Sequence, residues 1–184
     1  MIRRRYEEAA YVLDFLPRGK VRRGGEFVAE PVVQLVGEDF FTLLEATVKP
    51  GVNVQLHERV YIGREGRDKV DRILGRISYE ELTATAKAEL PAVIEKIVRS
   101  HEQRFIDFFN RAQPVTPKMH AFELLPGIGK KFMWQIVEQR EKKPFESFED
   151  FHKRTSIDPV KTVVKRILEE LTTEQKYKIF TRHF

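Results

Sequence analysis

The apolar pattern of this chain changes its period once, and that change limits the folds open to it. Up to about residue 77 the apolar residues come in short runs separated by turn residues. The runs are AYVLDFL (10–16), PVVQLVGEDFFTLLEATV (31–48, two runs joined by Gly37-Glu38-Asp39), ERVYIG (58–63) and VDRILGRIS (70–78). The joints hold Pro17-Arg18-Gly19, Gly24-Gly25, Pro50-Gly51 and Arg64-Glu65-Gly66. Short runs with turns at this spacing predict strands and hairpins. Five strands in about 75 residues suit a small closed or partly open barrel. The segment SYEE (78–81) has the pattern of a capping box and marks the passage from β to α.

Beyond it the spacing is helical. Pro91 is expected to start a new helix, at a position where its missing N–H costs little. Ile94, Ile97, Val98, His101, Phe105, Phe108 and Phe109 then form one apolar stripe. Gln113 to Pro117 reads as a break, with Thr116 capping a helix from Pro117 to about Leu124. Next come the turn ELLPGIGKK (123–131) and a helix from Lys130 to about Glu141. KKPFESFEDF (142–151) reads as a loop, 160–171 as an amphipathic helix and 172–180 as a short final one.

Composition excludes several classes. Of 184 residues, 41% are hydrophobic and 33% charged, which predicts a folded globular chain. No apolar run approaches the length of a membrane span, and MIRRRYEEAAYVLDFL does not read as a signal peptide, so no membrane partner is expected. The chain has no cysteine, which removes disulfides, thiolate metal sites and a cysteine nucleophile, and fits a cytoplasmic protein. Formal net charge is +5, and it is unevenly placed. Residues 1–25 carry seven Lys/Arg against three Asp/Glu, and residues 113–143 carry six against three, whereas residues 26–56 carry one against five. Positive charge therefore gathers at the N-terminus and around the glycine turn, as expected for a polyanion partner.

The turn itself carries the sharpest chemistry. Gly127 and Gly129 permit a tight reversal and close approach of another molecule to the main chain. The first N–H groups of the following helix have no intrahelical partner and sit at the positive end of its dipole. These features together make an anion site from backbone, and Lys130 and Lys131 add charge beside it. Ile128 can fold back to hold the turn shut. Such a site grips phosphate without reading bases. A lone GxG between helices is also an ordinary cap and turn.

The longer stretch LLPGIGKKFMWQIVEQREKKPFESFEDF resembles the helix-hairpin-helix motif of DNA- and RNA-binding proteins. Leu125, Pro126, Gly127, Ile128, Gly129, Ile136, Arg140, Pro144, Phe145 and Phe148 stand at its positions, while Met133 replaces a frequent alanine. In this family the hairpins often come in pairs. RTSIDPVKTVVKRILEEL (154–171) is the candidate second, with Ser156-Ile157-Asp158 in place of the glycines; it reads as a packing element that has lost its phosphate contact. Almost the whole chain, through ERVYIG, LGRISYEELTATAKAELP, FIDFFNRAQPVTPKMHAFELLPGIGKK and KPFESFEDF, is similar to an archaeal family known as domain of unknown function 655. The resemblance implies an α+β protein. An OB-like barrel (1–77) would precede a helical domain (78–184) with a helix-hairpin-helix motif at 117–141 and a degenerate second hairpin at about 152–171. It further implies nucleic-acid binding, with RNA favoured over DNA.

The expected function is therefore a non-enzymatic nucleic-acid-binding protein. Its binding residues would be Gly127, Ile128, Gly129, Lys130 and Lys131, with Lys118 and Arg140 contributing. The alternatives are a protein-interaction module in the translation or transcription machinery, and an enzyme acting on nucleic acid. For the barrel, Phe40, Phe41 and Tyr61, with Arg59, Arg64 and Arg67, are weighed as a base-stacking surface against a core role. Arg3-Arg4-Arg5 reads as a solvated arm. The histidines at 57, 101, 120, 152 and 183 show no metal-ligand spacing, His101 reads as a core residue, and no catalytic motif is found. No cofactor or metal is expected, although such hairpins sometimes hold a monovalent cation on carbonyls like those of Leu125 and Gly127.

Overall fold

The computed structural model describes residues 6–181; the arginines at 3–5 and His183 lie outside them. The chain divides into two compact units, Met1–Val93 with Phe180–Phe184, and Ile94–Ile179. The change of period at Ser78 thus lies within the first unit.

In the first unit the predicted runs form strands β1 (Ala9–Leu16), β4 (Val32–Gly37), β5 (Leu43–Val48), β6 (Arg59–Tyr61) and β7 (Val70–Arg76). A small ribbon, β2 (Lys20–Val21) with β3 (Phe27–Val28), fills the long β1–β4 connection. The five strands make one antiparallel sheet in the order β6-β1-β4-β5-β7. Register shifts between Val12 and Asp14 in β1, and around Glu45 and Ala46 in β5, bend the strands, so the sheet curls into a half-barrel. Its concave core holds Val12, Val33, Leu35, Leu44, Ala46, Val60 and Ile62. The segments that follow β6 and lead into β7 are joined by Arg67, which donates to the carbonyls of Ile62 and Gly63 at 3.0 Å and of Asp71 at 2.9 Å.

Every residue of β4 and β5 is buried, so both sheet faces are covered at its centre. On the second face Gln34 and Glu45 stand opposite one another in register. The Glu45 carboxylate accepts from Gln34 at 2.9 Å and from Lys20 at 2.6 Å, and meets Arg22 at 3.3 Å. Burial pushes the Glu45 carboxyl up, but these bonds outweigh it and hold the group below the ordinary carboxylate range. The ribbon's alternation follows: Lys20 and Arg22 turn in to Glu45, while Val21 and Phe27, paired across the ribbon, turn out and are 61% and 63% exposed.

Ser78 and Glu81 do form a capping box, but around a 3-10 turn (Tyr79–Glu81). The helix α1 (Ala84–Ser100) starts later, where the Thr83 hydroxyl accepts the Ala86 N–H at 3.0 Å and donates to Asp14 at 2.7 Å. Pro91 does not start a helix; it lies inside α1.

In the second unit the apolar stripe is broken at His101, whose backbone leaves the helical region (φ −120°, ψ 40°) before α2 (Glu102–Arg111). His101 is half-buried, and its Nδ1 contacts the Ile97 carbonyl at 2.9 Å. The expected helix at 117–124 is absent. In its place stand β8 (Pro114–Thr116) and β9 (Met119–His120), a tight hairpin in which the Thr116 hydroxyl accepts the Lys118 N–H, followed by a 3-10 turn (Ala121–Leu124). Local bonding explains the difference. His120 caps the 3-10 turn by accepting the Phe122 N–H, and Glu123 reaches back to the His120 N–H at 2.8 Å.

Helix α3 (Lys130–Lys142) is as expected. The loop predicted at 142–151 ends early, because Ser147 accepts the Asp150 N–H and starts α4 (Phe148–Thr155). Asp158 caps α5 (Pro159–Thr172), and the predicted helix at 172–180 does not form. The core is aromatic: Phe109 lies 4.1 Å from Phe151 and 6.0 Å from Phe122 between ring centroids, and Phe145 packs edge-on against Phe151. Asn110 holds Phe145 by both its backbone N–H (2.7 Å) and its carbonyl (2.9 Å). Among the described residues no helix is long and apolar enough to cross a membrane.

Candidate nucleic-acid interface

The reversal at 125–128 is built around Pro126 and Gly127. The Leu125 carbonyl accepts the Ile128 N–H at 3.1 Å, and Gly127 has φ +79°. Proline followed by a glycine of positive φ is the signature of a type II turn. Leu125 and Ile128 point inward and are 2% and 7% exposed, so Ile128 anchors the turn in the core.

Gly129 differs from Gly127. Its φ of −95° and ψ of −168° suit any residue, and it is the cap of α3, with the first helical bond running from Met133 N–H to its carbonyl at 2.9 Å. A Cβ placed on either glycine would meet nothing within 4 Å. The fold therefore does not require Gly129 to be bare, and the cap supplies no side-chain oxygen to the N–H groups of the first turn. Gly129, Lys130 and Lys131, which carry such amides, are exposed at the positive end of a 13-residue helix.

The cations expected around this turn have unequal roles. Lys130 Nζ is tied down, to Glu123 at 2.9 Å and to the Lys118 carbonyl at 2.7 Å. Arg140 donates to the carbonyls of Ala112 (2.8 Å) and Phe109 (3.3 Å) and lies over the Phe122 ring, which closes the C-terminal end of α2. Burial holds the Arg140 guanidinium below its usual range. Lys118 and Lys131 are exposed and form no ion pair among the described residues. Burial, with Arg140 adding to it, likewise keeps His120 below the usual histidine range, in keeping with a neutral ring accepting the Phe122 N–H.

The turn between α4 and α5 is built differently. Ser156 ends α4 in the left-handed region (φ +60°), and the Asp158 carboxylate occupies the first turn of α5 by accepting the Lys161 N–H at 3.1 Å. Residues that sequence reasoning missed brace the first turn. Arg166, 4% exposed, pairs with the buried Glu170 at 3.0 Å and donates to the Leu124 carbonyl at 3.2 Å. Its signal was a charge on the apolar stripe of α5 between Val163 and Ile167. Arg154 donates to the carbonyls of Gln139 and Lys143, closing α3 as Arg140 closes α2. Met133 is buried, whereas Phe132 and Trp134 in the same helix are 41% and 57% exposed.

In the first unit the weighed aromatics take mostly structural places. Phe41 is fully buried and Phe40 half-buried. The Tyr61 hydroxyl donates to Glu8 at 2.7 Å, and Arg59 pairs with Glu38 at 2.6 Å. Arg67 is spent on carbonyls, and Arg64 is exposed. No group of three or more His, Asp or Glu among the described residues could hold a metal ion.

A family model described as "Protein of unknown function (DUF655)" matches residues 6–182. A Methanocaldococcus jannaschii protein described as uncharacterised is 47% identical over 176 residues, covering 96% of this chain and 79% of that protein. The crystal structure of Af1531 from Archaeoglobus fulgidus, which carries the same family designation, is similar with a TM-score of 0.86 at 47% identity. That match covers 96% of this chain and all of the other.

Proposed function

This chain belongs to the DUF655 family of proteins of unknown function, and on that premise we propose that it binds nucleic acid by its phosphates, at the turn joining residues 125–129 to α3. The observation that carries this reading is Gly129: an exposed residue left bare where the fold has room for a side chain, at the head of a helix whose cap offers its amides no side-chain acceptor. The amides of Gly129, Lys130 and Lys131 grip phosphate, Lys131 and Lys118 add charge from exposed side chains, and Ile128 braces the turn. Lys130 and Arg140 act mainly by holding the structure, since both are bonded within the protein.

In this reading the 3-10 turn at Ala121–Leu124 stands for the first helix of a helix-hairpin-helix motif. The half-barrel is read as OB-like: β1, β4, β5 and β7 run as a meander, and β6 returns beside β1. Contact with phosphate and not with base edges predicts little sequence preference. RNA is favoured over DNA only by the family resemblance.

Fluorescence anisotropy with labelled single- and double-stranded RNA and DNA, at two salt concentrations, tests the proposal. Gly129→Val is the chosen variant because its backbone is unstrained there. Weaker binding of all ligands in a variant that still melts cooperatively is expected. Unchanged binding rejects the phosphate grip.

A further inference from the structure

Trp134 is the chain's only tryptophan, and more than half of it is exposed. It sits one turn beyond Lys130 and Lys131 on α3, so it shares their face rather than the buried face of Met133 and Ile136. No ring or cation among the described residues stacks upon it. Two grooves meet at this side chain. One, of about 480 Å³, is bordered by Trp134, Val137, Met119 and Lys118. The other, of about 530 Å³, is bordered by Trp134, Phe132, Lys131 and Ser156. A large exposed aromatic is out of place on a helix that has buried its own stripe, and each groove includes a lysine, Lys118 or Lys131, that forms no ion pair among the described residues.

We infer that Trp134 is a stacking platform for a base of a single-stranded nucleic acid whose phosphate lies at the first turn of α3. This rests on the phosphate grip proposed above and adds the strandedness. A base offers its face to an indole only where it is unstacked, in a single strand, a loop or an end, whereas a continuous duplex covers it. Lys130 and Trp134 are about 6 Å apart along the helix axis, a separation that one nucleotide spans between phosphate and base. Charge sets the direction. Lys118 and Lys131 attract the backbone at the N-terminal end, Glu123 is neutralised by Lys130, and Glu138 and Glu141 repel phosphate from the later turns. The strand is thus held at the head of α3, with a base turned toward Trp134 and Phe132 beside the neighbouring groove.

The indole itself reports the event, so the full-length protein is titrated while its tryptophan fluorescence and the anisotropy of a labelled ligand are followed together. The probes are short oligouridylate, short oligodeoxyuridylate, an abasic phosphodiester of the same length, and blunt RNA and DNA hairpins. Expected is quenching by one or both base-bearing single strands, with affinity about tenfold above the abasic strand. Trp134→Ala should lower both to the abasic level, and Trp134→Phe should retain most of the gain. The stronger of the two single strands identifies the sugar. Equal binding of abasic and base-bearing strands without quenching, or duplex binding that exceeds single-strand binding and ignores Trp134→Ala, overturns the platform and leaves the phosphate grip standing. Binding of no probe at all overturns both. The wild-type fluorescence arm needs no variant to fold.

Discussion

Gly127 and Gly129 are one residue apart and answer to different demands. Gly127 sits at φ +79°, where a Cβ is strained, so Gly127→Ala should cost about 1–2 kcal/mol in a denaturation measurement. Gly129 has an ordinary backbone and an open flank. Serine is a better cap than glycine by a few tenths of a kcal/mol, and its hydroxyl would accept one of the first-turn N–H groups. Gly129→Ser is therefore expected to hold or raise the melting temperature while weakening oligonucleotide binding, because it takes an amide away from phosphate. A variant that binds as before at unchanged stability would count against the site.

Glu7 shows a different kind of residue-level control. Its carboxylate, 8% exposed, accepts from the N–H groups of Asp39, Phe40 and Thr42 and from the Thr42 hydroxyl, which fixes the β4–β5 loop. Burial nevertheless raises its pKa above the ordinary value, outweighing those bonds. The unfolded chain ionises this group at about pH 4.3, while the folded chain keeps the proton to higher pH. Above that ordinary value the folded state binds more protons, so the stability contributed by Glu7 falls as pH rises until the folded pKa is passed. Denaturant titrations between about pH 4 and pH 7 should show that slope, and Glu7→Gln should flatten it.

At the scale of elements, arginines finish what hydrophobic packing begins in the second unit. Arg140 closes α2, Arg154 closes α3, and Arg166 links α5 to the residue before the glycine turn. Breaking a buried pair strands a charge, so Arg166→Ala should destabilise the protein by about 3–5 kcal/mol, measured by denaturant unfolding. The Glu170 carboxylate left behind also holds the Ile179 N–H, so the segment after α5 should loosen as well. Element type was readable wherever an apolar run or a helical stripe was long, as in β4, β5, α3 and α5. It was misread where a few polar groups outvoted propensity. His120 and Glu123 turned a predicted helix into a hairpin and a 3-10 turn, and Ser147 started α4 inside a predicted loop. Pairings of that kind depend on side chains meeting at particular angles, which spacing does not report.

For the molecule as a whole, net charge overstates what a polyanion can feel. Of the cations near the glycine turn, Lys130 and Arg140 are committed to internal partners, and Lys118 and Lys131 are left for an incoming strand. Binding should therefore follow a shallow salt dependence, with a slope of about −0.7 to −0.9 for each of two or three phosphates. Lys131→Glu should weaken binding, while Lys161→Ala, beside the Asp158 cap, should leave it nearly unchanged. Equal losses from the two would move the site away from the first turn.

By itself the sequence determined the strands of the sheet, helices α3 and α5 and the LPGIG turn, since these follow from local spacing and from the freedom of glycine and proline. Only the tertiary structure decided which charges remain available, that Gly129 is bare without need, and that Trp134 stands in the open. Those properties arise where segments distant in the chain meet and neutralise, cover or fail to cover one another.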